Sequence, residues 1–162
     1  MQNAAISEAV MSALTAAFPD GVKETNEQGL TPLHYALQTE GTPDAVPIAL
    51  LEAMPEAAKV KTAVGRDRHG KPTGGDTPLH LAMQKKTRSE AVMSALTAAF
   101  PGGVKETNAT GFTPLHYAVQ TEGMPDAVPL ALLKAMPDAA KVKTTVATDS
   151  DGNLTGLSLI HI

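Results

Sequence analysis

Cysteine and tryptophan are absent from the 162 residues, and aromatic side chains supply only 3% of them. Without cysteine there is no disulfide framework and no thiolate metal site, which fits a reducing compartment. With so few rings, the core must be built from Ala, Leu, Val and Met. Such small side chains suit closely packed helices better than a β-sandwich, which leans on aromatic and β-branched residues. A basic excess is missing too: the formal net charge is −4 with both signs interspersed, so nucleic acid is not an expected partner. Pro or a charge breaks every apolar run well short of the roughly 18 residues a membrane helix needs. No membrane partner is therefore expected. The N-terminus lacks the basic region and apolar stretch of a signal peptide, so the expected location is cytoplasmic or otherwise intracellular.

What the chain has in abundance is repetition, the first thing to look for in such a sequence. Ser7 to Gly65 realigns on Ser89 to Ala147 at an offset of 82, with 48 of the 59 positions identical. Inside this long period lie two smaller units. Thr31-Pro32-Leu33-His34 returns at Thr77 and at Thr113, 46 and then 36 residues on. Between these motifs runs a second pattern: Val10, Ala13, Leu14, Ala17 and Phe18, then Val46, Ala49, Leu50, Ala53 and Met54. It recurs at Val92, Ala95, Leu96, Ala99 and Phe100, and at Val128, Ala131, Leu132, Ala135 and Met136. That spacing marks one face of an α-helix.

The helix ends are legible as well. Ser7 and Ser89 stand where N-caps belong, and Asp44 and Asp126 are read as caps of the other two helices. Pro47 and Pro129 then fall in the first turn, where a missing N–H costs nothing. Pro19, Pro55, Pro101 and Pro137 stop each helix. In the shorter motif, Thr31, Thr77 and Thr113 cap a helix and Pro32, Pro78 and Pro114 take its first position. Leu33, Ala36 and Leu37 form its apolar stripe, while Ala36, Ala82 and Ala118 allow close approach of neighbours. Each unit is thus a short helix, a turn and a second helix, too small to bury its apolar face unless units stack. Val60, Thr62 and Val64 alternate ahead of Asp67-Arg68-His69-Gly70, which predicts a β-hairpin finger projecting from the stack.

Asn26, Gly29, Thr31, Pro32, Leu33, His34 and Ala36 together resemble the opening signature of the ankyrin repeat family; Asn108 to Ala118 repeats it, and Asp76 to Ala82 is a shorter match. The resemblance implies an all-α, ankyrin-type solenoid of stacked helix-turn-helix units with projecting loops or β-hairpin fingers. It covers a single array over 1–156: a half unit at 1–26, then units at 27–66, 76–104 and 109–147. Two features depart from the family, Ala-Met-Pro or Ala-Phe-Pro in place of Gly-Ala after the second helix and the lengthened connector from Val60 to Asp76. Both ends read as cut. Met1-Gln2 aligns with Met83-Gln84 inside a first helix, and the internal match stops after Thr155-Gly156. Residues 157–162 are expected to be a non-native tail, a translated sequencing adapter, or else the truncated start of a next unit. No polar cap stands at either end, so end-to-end self-association of the fragment is expected.

Chemistry is sparse. The resemblance gives His34, His80 and His116 a structural role, hydrogen-bonding backbone within and between units, and their separation forbids a shared ion. His69 falls in the finger turn and His161 in the tail. Asp149-Ser150-Asp151-Gly152-Asn153 starts like a calcium loop, yet the later bidentate Glu is absent and a turn explains it. Gly74-Gly75 and Gly102-Gly103 lack a phosphate-loop ending, and no nucleophile elbow is present. The cluster from Lys85 to Arg88 reads as a solvated helix end. No catalytic residue, metal or cofactor is expected. In the family it resembles, partner proteins dock on the concave face of the first helices and on the finger tips. Carried over, this gives Glu27, Gln28, Leu30, Gln38 and Thr39, then Asp76, Gln84 and Lys85, then Ala109, Thr110, Phe112, Gln120 and Thr121. The long finger adds Arg66, Arg68, His69 and Lys71. The expectation is a non-catalytic protein-binding module. A structural spacer, and a targeting arm of an enzyme with its catalytic domain elsewhere, are the other readings.

Overall fold

A computed structural model of the chain describes residues 21, 24–85 and 89–135. The leading half unit through residue 20, the cluster at 86–88, residues 136–147 of the last unit, the turn at 149–153 and the tail at 157–162 lie outside the described residues.

The described chain is mostly helical, with six α-helices and one two-stranded sheet. The helices come in three pairs: α1 (Pro32–Gln38) with α2 (Ala45–Ala53), α3 (Pro78–Met83) with α4 (Glu90–Ala99), and α5 (Pro114–Gln120) with α6 (Ala127–Ala135). Each first helix opens on an extended threonine with proline at its first turn, as the motif predicts. These helices of six or seven residues are far too short to persist alone in water. Packing must hold them, and it does so in two files. Helix α1 lies against α3 and α3 against α5, while α2 lies against α4 and α4 against α6. Within each pair the two helices also pack on one another.

Between the files runs one core. Leu33, Leu37, Leu50, Met83, Val92, Leu96 and Leu132 are fully buried in it. Ala36, Ala82 and Ala118 are buried where the first helices meet, which is the place for a side chain that lets backbones approach. The second-helix stripe holds for most of its predicted members, with one exception and some additions. Ala53 is exposed, while Pro47, Leu51 and Met93 are buried beside Val46, Leu50, Val92 and Leu96. The buried face is therefore widened rather than moved, because these helices touch both their own first helix and the neighbouring second helix. Met54, Ala95, Ala99 and Phe100 of the predicted stripe still pack against the core.

The caps divide. Ser89 caps α4, its hydroxyl accepting from the Val92 N–H at 3.4 Å, and Glu90 adds favourable charge at the positive end of the dipole. Asp44 stands at the N-cap position of α2 as predicted, but its backbone is already helical and its side chain makes no capping hydrogen bond. Pro55 and Pro101 end α2 and α4 as expected, and each then starts a 3-10 helix, Pro55–Lys59 and Pro101–Lys105.

The finger is shorter than the alternation of Val60, Thr62 and Val64 predicts. Only β1 (Gly65–Arg66) and β2 (Pro72–Thr73) pair, antiparallel, with Gly65 opposite Thr73. Below them the ladder is interrupted because the Ala63 N–H is given to the Gln28 carbonyl of the preceding unit, at 2.8 Å. On the opposite side Gly74 and Gly75 leave the strand conformation with φ of +79° and +72°. Gly74 has no room for a side chain: a Cβ there would stand 2.0 Å from the Ala63 carbonyl oxygen. Gly41 has a similar φ of +77° but open space around it. Left-handed backbone alone costs a non-glycine residue roughly 1–2 kcal/mol. Gly41→Ala is therefore expected to cost about that much in urea unfolding, and Gly74→Ala distinctly more. Equal losses at the two positions would mean that the close approach at Gly74 is not made in solution.

Candidate functional site

Each first helix begins with the same buried exchange between a threonine and a histidine. The backbone N–H groups of Thr31, Thr77 and Thr113 donate to Nδ1 of His34, His80 and His116 at 3.0, 3.1 and 3.2 Å. The three hydroxyls stand 2.7–2.8 Å from the same nitrogens, and the threonine side chain accepts from the histidine N–H in return. A backbone N–H can only donate, so Nδ1 must be unprotonated and the neutral ring carries its proton on Nε2. In His80 that proton points out of the unit, to the Phe112 carbonyl at 3.0 Å. Phe112 directly precedes Thr113, so the bond joins one unit to the capping residue of the next. The His34 ring lies by the carbonyls of Asp76 and Val60; Asp76 has the same place ahead of Thr77. All three imidazoles are buried, with exposure of 1% or less.

Ahead of each motif an Asn or Asp folds a five-residue turn. Oδ1 of Asn26 accepts from the N–H of Gln28 and Leu30 at 3.0 and 2.9 Å, and Oδ1 of Asn108 accepts from Thr110 and Phe112, both at 3.0 Å. Asp67 does the same for His69 and Lys71 at 2.8 and 3.0 Å. The finger tip is thus the short-connector turn carried outward on a ribbon. In the short connectors the amide nitrogen of the Asn reaches a tyrosine hydroxyl, Tyr35 at 2.8 Å and Tyr117 at 2.9 Å. Asn108 also donates to Asp76 at 2.9 Å, and burial together with the Asp76 charge pushes the Tyr117 phenol up. Backbone bonds stitch successive turns together: Ala63 to Gln28, and Ala109 to the Gly74 carbonyl at 3.0 Å. Lys61 adds an ion pair to Glu106 at 2.7 Å and a bond to the Thr107 carbonyl at 3.1 Å.

Against this frame the residues predicted to meet a partner fall into two groups. Thr110, Phe112, Thr121, Ala109 and Asp76 are half-buried and engaged within the protein. Thr110 bonds Asn108, Thr121 bonds the Met83 carbonyl at 3.0 Å, and the Phe112 ring meets His116 edge-on and lies against Tyr117. Leu30 is half-buried in the first turn. Lys85 is half-buried and lies 3.5 Å from Glu40, an exposed contact worth little. The second group is exposed: Glu27, Gln28, Gln38, Thr39, Gln84 and Gln120 in the unit frames, and Arg66, Arg68, His69 and Lys71 on the finger. Gln38, Gln84 and Gln120 occupy one register, seven residues after each motif threonine. The sequence reading missed Val64, 70% exposed at the finger base, and Tyr35, 49% exposed on α1. The Asn26-to-Tyr35 and Asn108-to-Tyr117 spacing of nine was the available signal for the tyrosines.

A depression of about 200 Å³ between α4 and α6 is lined by Glu90, Met93, Ser94, Thr97, Ala131 and Leu132. It holds a single carboxylate and no second titratable group. Among the described residues no helix is long and apolar enough to cross a membrane. Neither a protein-family model nor a curated protein matches this chain.

Burial holds the imidazoles of His34 and His80 below the ordinary histidine range; desolvation of the cation is the main cause, partly opposed by the facing carbonyls. The unfolded chain therefore takes up protons near pH 6.5 that the folded chain refuses. Stability is full above that pH and falls below it, by at most ~1.4 kcal/mol per pH unit for each such histidine. The melting temperature is expected to drop between pH 7.5 and pH 5.5. His80→Gln should be less stable at pH 7.5, by ~1–3 kcal/mol for the disrupted buried bonds, with a visibly flatter pH profile. An unchanged profile in that variant would mean that His80 is not held neutral.

Proposed function

We propose that the chain forms an ankyrin-type helical solenoid whose task is to hold another protein, without catalysis of its own. The observation that carries the reading is the repetition of one interlocked unit: three helix pairs in two files, joined by turn-to-turn backbone bonds and, at His80, by a bond to the Phe112 carbonyl. Such an array spends its buried polar side chains on its own frame. What remains is a row of exposed first-helix ends, Gln38, Gln84 and Gln120, of which Gln84 also bonds Tyr117, beside an exposed finger. Many contacts would then be shared along the row, with a few anchors supplying most of the affinity.

A spacer role has its own support in the near-identity of the two long repeats, 48 of 59 positions, since a stiff rod asks only that each unit stack on the next. A targeting arm of a larger enzyme would use the same binding surface. The test is capture of proteins on the immobilised chain, compared with a variant in which Arg66, Arg68, Gln84 and Lys85 are all alanine. A binding module loses at least one captured protein in the variant while its unfolding is unchanged. A spacer gives the same captured set for both.

A further inference from the structure

We propose that the tip of the long finger is the specificity element of this surface and docks an acidic segment of a partner protein. The inference rests on the binding-module reading and adds the partner's chemistry to it. Three cations and an imidazole, Arg66, Arg68, Lys71 and His69, stand exposed within six residues on a chain of net charge −4. The carboxylate among them, Asp67, is also exposed but is held within the turn, where one oxygen accepts from the N–H groups of His69 and Lys71, and it leaves the tip with a net positive charge. Among the described residues no carboxylate pairs with Arg66, Arg68 or Lys71. The tip is also preorganised. The Asp67 turn closes it, and the Arg66 guanidinium donates to the Gly70 carbonyl at 2.7 Å. A rigid cationic tip loses little freedom on meeting an anion.

The second observation comes from the internal duplicate. Up to Gly65 the two long repeats are nearly identical, and then residues 66–74 keep only four of nine positions in 148–156. The four that persist are Asp67, Gly70, Thr73 and Gly74, matching Asp149, Gly152, Thr155 and Gly156. Three of these make the frame: Asp67 accepts the turn bonds, Gly70 takes φ of +77°, and Gly74 has no space for a side chain. Every cation differs, and so does the imidazole. Arg66 is answered by Thr148, Arg68 by Ser150, His69 by Asp151 and Lys71 by Asn153. Frame residues kept while the three cations are lost and the imidazole is exchanged for a carboxylate are what a difference in ligand between the two copies requires. A polynucleotide fits less well, because the net negative remainder of the chain repels a long polyanion.

The test uses the whole chain and a fluorescent glutamate-rich peptide, followed by anisotropy at low and at physiological salt. The comparison protein carries the side chains of the matching positions in the second copy, Arg66→Thr, Arg68→Ser, His69→Asp and Lys71→Asn. It retains the frame residues, and matched unfolding curves establish that it folds. The wild-type chain is expected to bind the peptide in a salt-sensitive way, and the exchanged chain to bind at least ~tenfold more weakly. Equal binding by both, no binding by the wild type at low salt, or tighter binding of an oligonucleotide of the same charge would each overturn the proposal. If the peptide fails while a captured partner is still lost on replacing only Gln84 and Lys85 by alanine, the finger inference falls alone. If no replacement alters what is captured, the module reading falls with it.

Discussion

In each unit the N–H of a threonine points at the bare nitrogen of a buried imidazole three residues on, and everything around it depends on that ring being neutral. An imidazolium would set two donors face to face at Nδ1 and bury an uncompensated charge, which low-dielectric surroundings penalise heavily. While the ring stays neutral, one side chain does two jobs. Its Nδ1 completes the capping box that starts a helix too short to start itself. Its Nε2–H is left over, and in His80 it reaches the carbonyl just before the next unit's cap. Local helix initiation and unit-to-unit joining are therefore consequences of a single tautomer.

The finger follows from the same economy. The turn at Asn26, Asp67 and Asn108 is one design used three times, closed by a side-chain oxygen and two backbone N–H groups. In two units it sits directly against the cap, where the Asn amide also reaches a tyrosine. Across the long connector the added residues carry it out on the β1–β2 ribbon, away from any tyrosine, and Asp suffices because no amide donor is needed. Gly74 and Gly75 let the ribbon return beneath this tip while the next turn packs against them. What the array offers to solvent is then decided by where the frame runs out of uses for its side chains.

Much of this frame is legible in the sequence, and the parts that are not have physical reasons. Thr-Pro-Leu-His states its cap and first turn outright, since proline and threonine have few other places in a helix. Period-3.6 spacing locates the second helices, but it does not say which edge of the stripe is buried: Ala53 faces solvent and Leu51 the core because neighbouring units, not local sequence, decide. Asp44 shows the same limit, for a capping residue type does not fix the backbone angle a cap needs. Alternation in Val60–Val64 promised a longer strand, and Gln28 of another unit takes the N–H that would have continued it. Of the surface residues, the exposed glutamines and the finger cations follow from register, whereas the internal duties of Thr121 and Asp76 are tertiary and leave no local mark.

The central claim is that His34, His80 and His116 are neutral and protonated on Nε2 in the folded chain. A long-range proton–nitrogen correlation spectrum of the imidazoles at neutral pH reads this directly. The account predicts three rings of the Nε2–H form, with the His80 proton protected from exchange by its bond to Phe112. Imidazolium signals, or a bare Nε2 with the proton on Nδ1, would contradict it.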